Sequence, residues 1–285
     1  MLWNLGVNYA ATTPLWYTLT EDQKYCHTGH RKEIHWLHLL EWKTLGIDKK
    51  SPNHAMKYDG RYRSFLKADK AHEKPNKPSH LQYPGFYHKF QLGTVQDYIS
   101  YYQRVWEHVK HEYASVGDFS NTNAMMRESY MREIRDQILD AFDLKITIIF
   151  RDPVRRLYSQ NHYYDFDSPD PLSWYGKIYR KWASVFGEER ICPIVMEEFW
   201  DGQVDLLEDF LGIKIDTIHP NCFAGDFKRH EYLADQWIDG DPKPLTPEHY
   251  QRLYKNMEDV YKDFEDTFGS VSYTHLRAHE TSTHR

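Results

Sequence analysis

The run Lys145 to Phe150, KITIIF, is apolar without alternation and stops abruptly at Arg151-Asp152-Pro153. A strand with no polar face has to be covered on both sides, which places it in the middle of a parallel sheet. Parallel neighbours need crossover connections, usually helical, so the rest of the chain is constrained to alternate. Leu2 to Val7 is a second short apolar run, followed by a polar loop to Thr13 and by Pro14 in the first turn of a helix. Val95, Tyr98, Ile99, Tyr102, Val105, Trp106 and Val109 recur at helical spacing within Thr94 to Tyr113, and Tyr113 to Phe119 reads as a strand. Further helices are expected over Glu128 to Phe142, from Pro153, over Leu172 to Phe186, up to Leu211 and from Pro247 to Phe268, with a strand at Ile191 to Met196. The expected fold class is α/β, a three-layer arrangement with a mostly parallel central sheet flanked by helices.

One domain over residues 1–269 accounts for this pattern. Within it, Lys49 to Lys89 carries Pro52, Pro75, Pro78 and Pro84 among many Lys, His and Tyr, and is expected to be an irregular excursion that grips an acceptor. Residues 270–285 have no helical or strand period and include His275, His279 and His284, so they are expected to be a non-native tail outside the fold.

With 285 residues, 40% hydrophobic and 16% aromatic, the chain has ample material for a core. A net charge of −6 argues against a nucleic-acid partner, because counterion release needs clustered surplus cations. Any anion site must therefore be local. Cys26, Cys192 and Cys222 show neither paired nor metal-ligand spacing, which fits free thiols in a reducing compartment. No apolar run is long enough to cross a bilayer and no signal peptide is read, so the expectation is a cytoplasmic protein without a membrane span. His108 and His111 lack further ligands at metal spacing, and no metal is expected.

Chemistry concentrates at three places. A strand ending in Arg151, followed by a helix opened by Pro153, puts a guanidinium at the carboxyl edge of a sheet, where open α/β folds bind ligands. There Arg151 can take a phosphate bidentately, with the Ser159 hydroxyl added from two turns into the helix. The plainer alternative is a surface ion pair of Arg151 with Asp152 and a solvated face carrying Arg155 and Arg156. The second place is GVNYAATTPLW, Gly6 to Trp16, a strand-to-helix loop whose backbone N–H groups and threonine hydroxyls suit an anion. It lacks the Gly-Lys pair of a nucleotide triphosphatase loop, which leaves a P-loop nucleotide kinase a distant alternative. The third is Arg31-Lys32-Glu33-Ile34-His35-Trp36, a charged run whose plain reading is a solvated turn before a strand.

Taken together, IIFRDPVRRLYSQNHY resembles the 3′-phosphate motif of the sulfotransferases that use 3′-phosphoadenosine 5′-phosphosulfate (PAPS), and Gly6 to Trp16 occupies the place of that family's 5′-phosphosulfate loop. Thr12 and Thr13 match that loop's Lys-x-Gly-Thr-Thr core, while Tyr9 stands at its lysine and Ala11 at its glycine. The resemblance, of the carbohydrate-acting type, spans about residues 2–268 and implies a P-loop-like fold. It also implies PAPS as donor, adenosine 3′,5′-bisphosphate (PAP) as product, no metal, and a glycan or other small-molecule acceptor. It assigns donor binding to Asn8, Tyr9, Ala10, Ala11, Thr12, Thr13, Arg151 and Ser159, with Lys228 and Arg229 as further basic candidates against a solvated loop. It implies Glu33 as general base, with Tyr9 in the lysine's place and Lys32 or Arg31 supplying the missing charge. A catalytically idle PAP or PAPS binder is the alternative that Tyr9 and Ala11 keep open. Asp118 and Ser120, at the end of a strand, either meet the acceptor or cap the next helix. Glu197 and Glu198 are expected to orient a loop.

Overall fold

The computed structural model describes residues 1–6, 12–29, 32–45, 93–160, 167–216, 218 and 245–269. The region 49–89 and the tail 270–285 lie outside them. In chain order the strands are β1 (Leu2–Asn4), β2 (Cys26–His27), β3 (Ser115–Asp118), β4 (Lys145–Phe150) and β5 (Ile191–Val195). The helices are α1 (Thr12–Tyr17), α2 (Trp36–Thr44), α3 (Val95–Val109), α4 (Glu128–Ala141), α5 (Pro153–Gln160), α6 (Tyr175–Phe186), α7 (Met196–Trp200), α8 (Asp205–Leu211), α9 (Pro247–Lys255) and α10 (Glu258–Phe268).

The five strands form one sheet in the order β2-β3-β1-β4-β5, and every pairing is parallel. β4 sits inside it as its unbroken apolar run demands: Ile146, Ile148, Ile149 and Phe150 have no solvent exposure. β1 lies between β3 and β4, with Trp3 in register with Asp118 on one side and Ile146 on the other. The Trp3 indole packs edge-on against Trp182 and Phe186 of α6 and donates its N–H to the Tyr98 hydroxyl at 2.9 Å, so its one polar atom is satisfied inside the core. Helix α3 starts on a capping box, Thr94 and Asp97 each bonding the other's backbone N–H, and buries Tyr98, Tyr102, Val105 and Val109 as the spacing predicts.

Several expectations needed correction. The helix expected from Leu172 begins at Tyr175, after a 3₁₀ turn at Pro171–Ser173. The helix leading to Leu211 is two, α7 and α8, separated by a turn in which Gly202 takes φ +80°, and Pro247 to Phe268 is broken between α9 and α10 around Met257. The charged run at 31–36 leads into helix α2, not a strand. Arg156 does not solvate a helix face. It is fully buried and donates to Asp170 Oδ1, to Ser173 Oγ at 2.7 Å and to Gln160 Oε1 at 2.7 Å, tying α5 to the turn before α6.

Because all strands run the same way, their carboxyl ends share one edge of the sheet. The segments that follow Asn4, Asp118, Phe150 and Val195 therefore emerge beside one another.

Candidate functional site

Immediately after β1 the backbone runs too close to its neighbours to carry a side chain. A Cβ on Gly6 would stand 2.0 Å from Thr12 Cγ2 and 2.6 Å from Ile149 Cγ2. This contact brings the start of α1 and the end of β4 against the same residue. Asn4, fully buried, fixes the approach by donating to Thr147 Oγ1 at 2.9 Å and accepting the Gly6 N–H at 3.0 Å. Thr12 and Thr13 then open α1, and the ammonium of Lys32 donates to both of their hydroxyls, at 3.0 and 2.7 Å. A cation thus stands at the head of this helix, delivered from the segment after β2.

Next to it, Glu33 is held between two partners. Its Oε1 lies 3.2 Å from Lys32 Nζ and its Oε2 lies 3.2 Å from His35 Nε2, while Asn121 Nδ2 stands 3.5 Å from Oε1. Burial alone would raise the Glu33 carboxyl; the His35 and Lys32 contacts outweigh it and hold the group down at about 2. His35 Nδ1 lies 2.8 Å from Thr122 Oγ1. No role of its own is read for His35 from the sequence, and the structure makes it a partner of the carboxylate.

His35 has φ +54°, a left-handed conformation uncommon for a non-glycine residue. The strain is held by β3's end. Ser120 Oγ accepts the N–H groups of Ile34 and His35 at 3.0 and 2.8 Å and donates its O–H to Asp118 Oδ1. Asp118 Oδ2 in turn accepts the Tyr98 hydroxyl at 3.0 Å, and burial pushes the Asp118 carboxyl up. Asp118 and Ser120 therefore clamp the Glu33–His35 segment from behind; the Ser120 side chain makes no cap for the following turn. Ser120→Ala would leave one buried and one partly buried N–H group unmet and is expected to lower stability by about 2 kcal/mol in urea unfolding.

On the other side of β1, Arg151 leaves β4. Burial lowers its pKa, opposed by the charges of Glu197 and Asp152. Asp152 is fully buried and accepts the hydroxyls of Tyr250 and Tyr261 at 2.7 Å each, so α9 and α10 are anchored on this turn. Its Oδ1 also accepts the Arg155 N–H at 2.8 Å, capping α5. Glu197, first in α7 after Met196, accepts the Asp152 N–H at 3.1 Å, an orienting contact of the kind expected from sequence.

The structure thus brings together Lys32, Glu33, Thr12 and Thr13, and places Arg151 just after β4, the neighbour of the strand β1 that leads to the two threonines. Ser159 lies in α5, its side chain outside the described residues. Asn8, Tyr9, Ala10, Ala11, Arg31, Lys228, Arg229 and Cys222 also lie outside them. Cys26 and Cys192 are buried free thiols, both pushed up by burial, which makes them poor nucleophiles. Among the described residues no group of three or more His, Cys, Asp or Glu is placed to hold a metal ion, and no helix is long and apolar enough to cross a membrane. Chemically, the edge offers a cation on two hydroxyls at a helix head, an ionised carboxylate beside it, and a desolvated guanidinium one strand away. That set suits a ligand with two anionic groups and transfer to a nucleophile that must lose a proton.

No protein-family model matches the chain, and no relative of established function matches it by sequence. Among solved structures it is similar to a sulfotransferase from Alicyclobacillus acidocaldarius, at 16% identity over 98% of this chain and 94% of that one, with a TM-score of 0.47. It is also similar to the sulfotransferase domain of the olefin synthase from Synechococcus PCC 7002, at 17% identity over 90% of this chain and 94% of that one, with a TM-score of 0.39.

Proposed function

We propose that this chain is a sulfotransferase that moves the sulfuryl group of PAPS to a hydroxyl or amine of a carbohydrate or other small polar acceptor, leaving PAP. The observation that carries the reading is the Lys32 ammonium on the Thr12 and Thr13 hydroxyls with Glu33 at 3.2 Å. On this reading Lys32, at the threonine hydroxyls, supplies the charge that a tyrosine at position 9 of the sequence lacks. Gly6, which has no room for a Cβ, holds the backbone after β1 close against Thr12 and Ile149 and so sets the head of α1 beside the end of β4.

In this mechanism Arg151 binds the 3′-phosphate and the Thr12–Thr13 helix head binds the 5′-phosphosulfate. The acceptor oxygen or nitrogen bonds to sulfur as the bond from sulfur to the bridging oxygen breaks. Lys32 neutralises the charge left on that oxygen, and Glu33 receives the acceptor's proton. Transfer of this kind depends on in-line positioning more than on base strength, as in phosphoryl transfer. That tolerates a carboxylate held at about 2, which takes up the proton only late.

Calorimetry with PAP tests the reading, and no measurable heat of binding by the intact chain would end it. Glu33→Gln is expected to leave PAP affinity nearly intact while lowering turnover of labelled PAPS about tenfold. This is less than the ~10²–10⁴ usual for a general base, because the carboxylate is a weak one. Glu33 is ionised at all pH values above ~4, so it contributes no acid limb to the rate profile near neutrality. Equal loss of binding and turnover would make Glu33 structural. The same low pKa favours the second reading, a catalytically idle PAP or PAPS binder, which predicts PAP binding with no turnover against any acceptor.

A further inference from the structure

At the carboxyl edge one guanidinium faces two acids. Phe150 of β4 and Val195 of β5 are in register, so Arg151 and Glu197 leave adjacent strands side by side. The two acids are not equivalent. Asp152 is met by the hydroxyls of Tyr250 and Tyr261 and by the Arg155 N–H. Glu197, only 7% exposed, is met by backbone alone, its Oε1 accepting the Asp152 N–H and its own backbone N–H adding to that. Its Oε2 is buried with no hydrogen-bond partner among the described residues. A second unmet group stands close by. Tyr175 is fully buried with its ring 4.9 Å from that of Phe150, and its hydroxyl has no partner among the described residues either. Buried polar atoms are seldom left unmet, and two beside a desolvated guanidinium mark a place built for something that binds there.

We propose that Arg151, Tyr175 and Glu197 form one oxyanion pocket in which Glu197 carries the proton, so that binding an oxyanion there draws a proton onto this carboxyl. The inference deepens the function proposed above and rests on it for the identity of the anion. An incoming oxyanion supplies the acceptor that the Tyr175 O–H and a protonated Glu197 lack. An ionised Glu197 would instead repel it across a low-dielectric gap. Among the described residues, the titratable and charged groups facing Glu197 are Arg151 and Asp152 from the turn after β4 and Tyr175 from α6. Burial is the main influence and Asp152 adds to it, together pushing the Glu197 carboxyl up to about 7 against the opposing pull of Arg151. A bound anion adds a negative charge and raises it further. Binding therefore takes up a proton near neutrality, and affinity falls as the pH climbs past the pKa of the free site.

The test is calorimetry of PAP binding to the intact chain and to Glu197→Gln, each in two buffers of different ionisation heat at neutral pH. The titration of PAP's own phosphates is common to both proteins and cancels in the comparison. The unaltered chain is expected to take up about half a proton more per PAP bound than the variant, and to lose affinity about three- to tenfold more steeply over two pH units above neutrality. Tyr175→Phe is expected to weaken PAP about three- to tenfold with the proton uptake unchanged. Equal uptake by the intact chain and Glu197→Gln overturns the proton role while the proposed function stands, and unaltered affinity in Tyr175→Phe removes Tyr175 from the pocket. Absence of PAP binding in all three proteins overturns the function and the inference together.

Discussion

Arg151→Ala is expected to raise the dissociation constant for PAP by about 30-fold to several thousand-fold, the equivalent of ~2–5 kcal/mol lost when one member of a desolvated charge pair is removed. The size of the effect follows from where the guanidinium is held. It leaves the end of a central strand whose register with β1 and β5 is fixed, and its charge is already stripped of much of its water, since burial lowers its pKa. An anion meeting it there does so in a medium of reduced dielectric, where a charge-assisted contact is worth more than at the surface. Arg151→Lys should recover only part of the loss, because an ammonium offers a point charge where the guanidinium offers a planar fork. The check is calorimetry alongside thermal unfolding. An unchanged dissociation constant in a folded variant would remove Arg151 from the anion site.

The strand before Arg151 was readable because its environment leaves one solution. Ile146, Ile148 and Ile149 follow one another with only Thr147 between them, and no polar face remains to turn to water. The first helix of the long amphipathic stretch was equally clear, since Tyr98, Tyr102, Val105 and Val109 share one face behind a Thr94–Asp97 cap. Elements that depend on distant partners were not readable. β2 is only Cys26–His27 and exists because β3 pairs with it. Helix α2 hides its period by burying polar residues: His38 and Glu41 are almost fully covered, and Glu41 is met by the backbone N–H and side chain of Arg127, 86 positions on. Arg156 reads as a solvated charge until Asp170 and Ser173 close over it.

The candidate site divides in the same way. The threonines, Lys32, Glu33 and Arg151 stand in recognisable local patterns. The placement of Lys32 over Thr12 and Thr13 does not, because it requires the segment after β2 to fold back across α1. Tyr175 carries no local signal at all, being brought to the pocket by the packing of α6 on β4. His35 carries no local signal for a related reason. Beside Trp36 it looks like core, and its contact with Glu33 depends on a backbone held by Ser120, which follows β3 and lies 85 positions on.

Lys32→Met is expected to lower turnover of labelled PAPS by about 10²–10³-fold, the usual cost of removing one preorganised group that stabilises developing charge. Methionine keeps much of the length and apolar stem of lysine, so the packing of the side chain, 17% exposed, changes little while the charge is lost. The two threonine hydroxyls lose their ammonium partner and Glu33 loses its contact with that ammonium. Two readouts follow from this one change. Turnover falls far more than PAP affinity, because PAP lacks the transferred group whose departure Lys32 assists. The Glu33 carboxyl, released from one of the contacts that hold it at about 2, moves upward, so a weak acid limb enters the rate profile at higher pH than before. Lys32→Arg retains the charge and is expected to restore part of the turnover and the original profile. Loss of PAP affinity in proportion to turnover would make Lys32 a general anion contact. Unchanged turnover would take it out of the mechanism, with the charge on the leaving oxygen then met from another segment.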